Sequence, residues 1–135
     1  MKIKDVFGRD VSKSFSKYKI NWERHVSRPQ KRVKEIICPY WFGQDVYEEL
    51  SIPSSKLRVD LFNASKGIVI EISPIQHKIY NQFLHGNRLK FLEAQKRDLQ
   101  KIDWVELNDF TYIEIDEIDL KKSDEEILEK ILNDY

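Results

Sequence analysis

The stretch Leu57-Arg58-Val59-Asp60-Leu61-Phe62-Asn63-Ala64-Ser65-Lys66-Gly67-Ile68-Val69-Ile70-Glu71-Ile72-Ser73 reads as two strands joined by a turn. In the first arm, Leu57, Val59 and Leu61 alternate with Arg58, Asp60 and Phe62, the period of a strand. The second arm, Ile68–Ser73, is a β-branched apolar run, the pattern of a strand buried on both faces. Asn63–Gly67 holds the turn-forming residues. A hairpin symmetric about Ser65-Lys66 sets Asp60 opposite Glu71, with Cβ atoms about 4.5–5.5 Å apart on one face. A carboxylate in an apolar strand is costly unless its charge is compensated. Two of them side by side repel, and a divalent cation is the simplest agent that makes the pair favourable.

After Glu71 the chain leaves the strand through Ile72-Ser73-Pro74-Ile75-Gln76-His77. An Asp strand, a strand ending Ile-Glu-Ile-Ser, then Gln-His and a helix resembles the PD-(D/E)XK (restriction-endonuclease-like) nucleases. The nearest branch is that of the very-short-patch repair and homing endonucleases. Glu35, 25 residues before Asp60, matches the upstream helical acid of that branch. Arg97-Asp98-Leu99-Gln100-Lys101-Ile102-Asp103-Trp104, Asn108 and Tyr112-Ile113-Glu114-Ile115 resemble its closing helix and strand. The likeness runs over roughly residues 29–116.

The resemblance implies a single α/β (α+β) domain with a central mixed sheet of about four strands, in the order α-β-β-β-α-β-α. It also implies Mg²⁺ (or Mn²⁺) on Asp60, Glu71 and the backbone carbonyl of Ile72. His77 would be the general acid or base, Gln76 a contact to water or phosphate, and Glu35 an accessory acid. The family's Lys two residues after the Glu is Ser73 here. Three readings follow: His77 takes the activating role, a lysine from elsewhere (Lys66 or Lys78) substitutes, or catalysis has been lost and the fold binds nucleic acid only.

The 135 residues suit one domain with its own core. No apolar run nears the roughly 18 residues that cross a bilayer, and no secretory h-region opens the chain. The single cysteine, Cys38, forms no internal disulfide and no zinc site by itself. The expected compartment is the cytoplasm, with no membrane partner.

Net charge is zero but uneven. Residues 1–34 hold eleven Lys and Arg against three acids, while residues 110–135 hold nine acids against three lysines. A basic end of this kind suits a polyanion such as a nucleic acid, and the resemblance makes DNA the expected partner. Residues 1–28 are expected as a basic arm ahead of a 29–135 domain. Lys13, Lys17 and Lys19, interleaved with Phe15 and Tyr18, are candidate phosphate contacts. Lys66, Lys78, His85 and Arg88 are further candidates from the domain.

Elsewhere the pattern predicts a helix from Pro29 to Ile37 ended by Cys38-Pro39, and a strand over 44–50. A helical region over 75–107, broken near His85-Gly86-Asn87, carries Leu92, Leu99 and Ile102 on helical spacing, with Trp104 and Val105 close by, as its core-facing stripe. A strand over 110–115 and a last helix opened by Ser123-Asp124-Glu125-Glu126 complete the chain. No Gly-rich phosphate loop, CxxC, HExxH or GxSxG is present. The expected function is metal-dependent hydrolysis of DNA phosphodiester bonds by a small phage-type or mobile-element endonuclease, as a homodimer if both strands are cut. The alternative is a non-catalytic nucleic-acid-binding module on the same fold.

Overall fold

The computed structural model describes residues 2–12, 14–73 and 88–133. The hairpin lies at its centre. Strands β4 (Arg58–Asn63) and β5 (Ile68–Ser73) are antiparallel with Leu61 opposite Ile70, Phe62 opposite Val69 and Asn63 opposite Ile68. That is the register of a turn centred on Ser65-Lys66. Asn63 Oδ1 accepts from Lys66 N at 3.0 Å, and Gly67 closes the turn at φ 67°. A Cβ on Gly67 would meet the Phe110 ring at 3.3 Å, so both conformation and space favour glycine there.

Strand β3 (Val46–Ser51) adds antiparallel to β4, and β6 (Thr111–Asp116) adds parallel to β5. The sheet order is β3-β4-β5-β6. The result is a small α+β domain with a mixed four-stranded sheet. Ile68, Val69 and Ile70 are all fully buried, because β5 is covered on both faces. Each such side chain contributes about 1.5–3 kcal/mol of burial.

Ile68 and Ile70 point into a core shared with helices α1 (Arg28–Trp41) and α4 (Asp124–Asn133), through Val33, Ile37, Trp41, Ile127 and Ile131. Val69 points into a second core, with Phe62, Trp104 and Val105 of helix α2 (Arg88–Leu107). Phe62 and Phe110 lie 4.9 Å apart between ring centroids, and Trp104 meets both rings edge-on.

The basic N-terminal segment is folded onto this second core. Strands β1 (Lys2–Lys4) and β2 (Asp10–Ser12) pair with each other, and Ile3 and Phe15 are buried against Leu50, Ile52 and Trp104. Trp104 Nε1 donates to the Lys4 carbonyl at 2.7 Å. Ile20 N donates to Val46 O at 3.0 Å, so residues 19–20 cover the outer edge of β3. An edge paired in this way is closed to other strands.

Three boundaries differ from the sequence pattern. Helix α1 runs through Pro39 to Trp41 and closes with Phe42 N on Cys38 O at 2.9 Å. A proline this near the end removes only the bond to the Glu35 carbonyl, and burial of Trp41 holds the last turn. A one-turn helix, α3 (Glu117–Leu120), follows β6, its ends tied by a reciprocal Asp116–Asp119 capping box. Finally, the inward stripe of α2 is not Leu92, Leu99 and Ile102. Leu92 and Leu99 are 46 % and 61 % exposed; Trp104 and Val105, expected beside that stripe, are buried, and Phe91 and Ala94 are buried with them.

Candidate active site

Beyond Leu61 and Ile70, the next residues of β4 and β5 are Asp60 and Glu71, and here the backbone ladder gives way to side chains. Asp60 Oδ2 accepts from the Ile72 N–H at 2.7 Å, where a strand carbonyl would otherwise bond. Asp60 and Glu71 border the same cavity. Glu71 is only 6 % exposed. On its other side it is the register partner of Glu114 in β6. Three adjacent strands therefore set Asp60, Glu71 and Glu114 in one row.

Helix α2 closes the row from above. Phe91, Ala94, Asp98, Lys101 and Val105 recur every three or four residues, the spacing of one helical face. The apolar members pack, while Asp98 and Lys101 reach a polar cavity of about 210 Å³ bounded also by Asp60, Glu71, Ile72, Ser73, Tyr112 and Glu114. Lys101 Nζ lies 2.9 Å from Glu71 Oε1. This is an ion pair that falls short of hydrogen-bond alignment, so Oε1 is a buried acceptor without an aligned donor among the described residues.

Burial pushes the Glu71 carboxyl well above the usual range, reinforced by the Asp60 charge and the hydrogen bond to it; Lys101 opposes this only in part. Burial also raises Tyr112, with the charges of Glu71, Glu114, Asp98 and Asp60 adding to it. Glu49 lies in β3 between Glu48 and Leu50, the partners of Leu61 and Val59, with its backbone in the left-handed region at φ 50°. Its carboxyl is raised by burial and then by Asp60, while Arg58 pulls it down. Left-handed backbone at a non-glycine strand residue is unfavourable and tends to cluster at functional sites.

The expected residues divide sharply. Asp60, Glu71 and Ile72 come together. Glu35 does not join them. It is exposed, 4.0 Å from Lys31, and lines a separate cavity with Arg32, Tyr40 and Asp124. The physical reason is the helix face: α1 buries Val33, Lys34 and Ile37, which turns Glu35 outward. Lys66 sits in the hairpin turn, beyond the three residue pairs that separate the turn from Asp60 and Glu71, which alone span about 10 Å at the rise of a strand. Lys101, not Lys66, faces Glu71. Gln76, His77, Lys78 and His85 lie outside the described residues, as does Lys13. Lys17 and Lys19 border a larger cavity on the β3 edge. Arg88 is the exposed first residue of α2.

Sequence reasoning missed Lys101, Asp98, Tyr112 and Glu114 as members of the site. The available signal was two charged residues on the inward face of an otherwise apolar helical stripe. Among the described residues, no group of three or more His, Cys, Asp or Glu side chains is arranged to hold a metal ion. No helix among them is long and apolar enough to cross a membrane. Neither a protein-family model, nor a curated protein, nor a solved structure matches the chain.

Proposed function

We propose that the chain is a metal-dependent endonuclease of the restriction-endonuclease-like class, hydrolysing DNA phosphodiester bonds at the Asp60–Glu71 cavity. The observation that carries this reading is the buried Glu71 carboxyl, set against Asp60 and faced by Lys101 in a small polar cavity. An arrangement that holds two acids together at a cost in free energy calls for a cationic ligand.

The donors fit a hard divalent ion. Asp60 and Glu71 offer carboxylate oxygens and Ile72 a backbone carbonyl, the oxygen set that suits Mg²⁺ with several of its waters retained. When bound, Mg²⁺ or Mn²⁺ would supply the Lewis acid that neutralises charge building on the scissile phosphate. The chain's own residues do the rest. Asp60 is fixed by the Ile72 N–H, which orients its carboxylate toward Glu71. Lys101 takes the role that Ser73 cannot fill: an ammonium beside the Glu, able to orient an attacking water and to stabilise the phosphate. Asp98, on the same helical face, bounds the cavity opposite the sheet. His77 and Gln76 belong to this reading through the resemblance alone.

A second reading, a non-catalytic nucleic-acid-binding module, is favoured by one observation. The Lys101–Glu71 ion pair already supplies positive charge to the buried acid. Plasmid nicking in Mg²⁺ or Mn²⁺ by the parent and by Glu71→Gln separates the two. The nuclease reading requires cleavage that the variant loses while remaining folded.

A further inference from the structure

Next to the carboxylate cavity, on the β3 edge, lies a larger one of about 550 Å³ bordered by Lys17, Lys19, Arg24, His25, Glu49 and Arg58. Two buried polar side chains of α1 build it. Lys34, 1 % exposed, donates its ammonium to the Asn21 carbonyl at 2.7 Å, to the Arg24 carbonyl at 2.5 Å and to Glu48. Gln30, 2 % exposed, accepts from Val26 N at 2.9 Å and reaches Glu49 Oε1 at 3.4 Å.

A buried ammonium is tolerated only with such full pairing. Here it fixes the loop that carries Arg24 and His25. Glu48 is taken up by Lys34 beneath the floor, Glu49 faces Arg58 at 3.8 Å and Asp45 holds Lys19 at 3.0 Å. That leaves Lys17 and Arg24 on the rim with no carboxylate at ion-pair distance among the described residues. His25, whose Nδ1 is buried with no hydrogen-bond partner among the described residues, forms part of the wall. Tyr18 and His25 add planar surfaces to the same wall.

The position matters as much as the charge. Arg58 is two residues before Asp60 on β4, about 7 Å along the strand. Glu49, 3.8 Å from Arg58, lies near enough to Asp60 to feel its charge. Glu49 and Arg58 of the groove are therefore near neighbours of Asp60, which borders the carboxylate cavity.

We propose that this groove seats one strand of nucleic acid, with phosphates on Lys17, Arg24 and Arg58 and a base against Tyr18, and leads that strand to the carboxylate cavity. The leading clause rests on the nuclease reading above; the binding clause does not. A basic groove with aromatic surface follows the rules of single-strand binding. A duplex is a rod too wide to enter a cavity of this size and would meet only its rim.

The test is fluorescence anisotropy on the full chain in EDTA, where no cleavage occurs. The probes are fluorescein-labelled oligothymidylate and its duplex with oligoadenylate. The variants are Arg24→Ala/Arg58→Ala, both exposed positions, and Lys31→Ala/Lys121→Ala as a distant pair of equal charge. The groove pair is expected to weaken single-strand binding about tenfold or more and to make the salt slope shallower by about 0.7 for each phosphate no longer neutralised. The distant pair stays within about twofold of the parent.

The proposal is overturned if the groove pair binds like the parent, if the distant pair loses as much, if the duplex binds as tightly as the strand, or if the parent binds no strand. Plasmid cleavage is read separately. Weakened strand binding by the groove pair of a protein that never cuts DNA supports the groove and removes the nuclease. A parent that cuts, with a groove pair that binds normally, removes the groove alone.

Discussion

Lys101 Nζ stands 2.9 Å from Glu71 Oε1, joining the inward face of α2 to the central strand β5. The pair spans 30 residues of chain and places the ammonium beside the Glu, the neighbourhood that the resembled nucleases fill with a lysine two residues further on. Replacing Lys101 by Met removes that charge and keeps the aliphatic stem. The expected result is a fall in kcat for plasmid nicking of about 10²-fold or more, the usual weight of a positioned proton-transfer or charge-stabilising group. Near-unchanged nicking by a folded Lys101→Met protein contradicts the role.

Glu71 gives a pH dependence whose sign is fixed by its raised carboxyl. The folded state favours the neutral acid. That contribution to stability is complete below the ordinary carboxylate range and is lost as pH rises from there through the raised folded value. Urea titrations of the metal-free parent between about pH 5 and 9 should show stability declining by at most about 1.4 kcal/mol per pH unit from this group. Glu71→Gln should flatten the decline. Mn²⁺ should stabilise the parent more at pH 8 than at pH 6, since binding displaces the proton.

Asp119 carries the opposite sign. Burial pushes its carboxyl up, yet the Lys130 hydrogen bond at 2.8 Å, the Asp116 backbone, the Lys130 charge and Lys122 outweigh burial and hold it low. Its stability is present above the ordinary carboxylate range and is lost as pH falls through the depressed value. Asp119→Asn should therefore destabilise the protein at pH 7 and lose that difference on acidification, measured by thermal melts from pH 7 to about 3.

Glu35 tests the placement of α1. Exposed and 4.0 Å from Lys31 on the face away from the cavity, it should be dispensable. Glu35→Ala is expected to leave nicking unchanged and stability within about 0.5 kcal/mol, as for ordinary surface substitutions. A loss of activity would mean that α1 reaches the site in solution.

What the sequence made legible is what short-range pattern encodes. The apolar run at Ile68 and the Asn63–Gly67 turn determine the two strands, their register and the meeting of Asp60 with Glu71. The alternation of Leu57–Phe62 holds only in part: Leu61 and Phe62 face opposite cores, but Leu57 and Val59 pack with Phe62 and not with Leu61. Ser123 announces α4, and its Oγ accepts from Glu126 N at 3.3 Å. The stripe of α2 was obscured because Asp98 and Lys101 interrupt its apolar period, while Leu92 and Leu99 fall on a competing helical spacing. Pro39 reads as a stop, but a buried tryptophan two residues later outweighs it. Left-handed Glu49 has no local signature, since nothing in Tyr47-Glu48-Glu49-Leu50 marks a positive φ. The Lys101–Glu71 contact depends on how a helix docks on a sheet, which no local pattern states.

The most direct measurement is plasmid nicking with the purified chain in Mg²⁺ and Mn²⁺, parent beside Glu71→Gln and Asp60→Asn, with circular dichroism confirming the fold of each. A nuclease built on this cavity nicks in at least one metal, stops nicking in EDTA, and falls by about 10²-fold or more in both variants. A parent that leaves every DNA form intact in both metals contradicts the nuclease reading and leaves a nucleic-acid-binding module in its place.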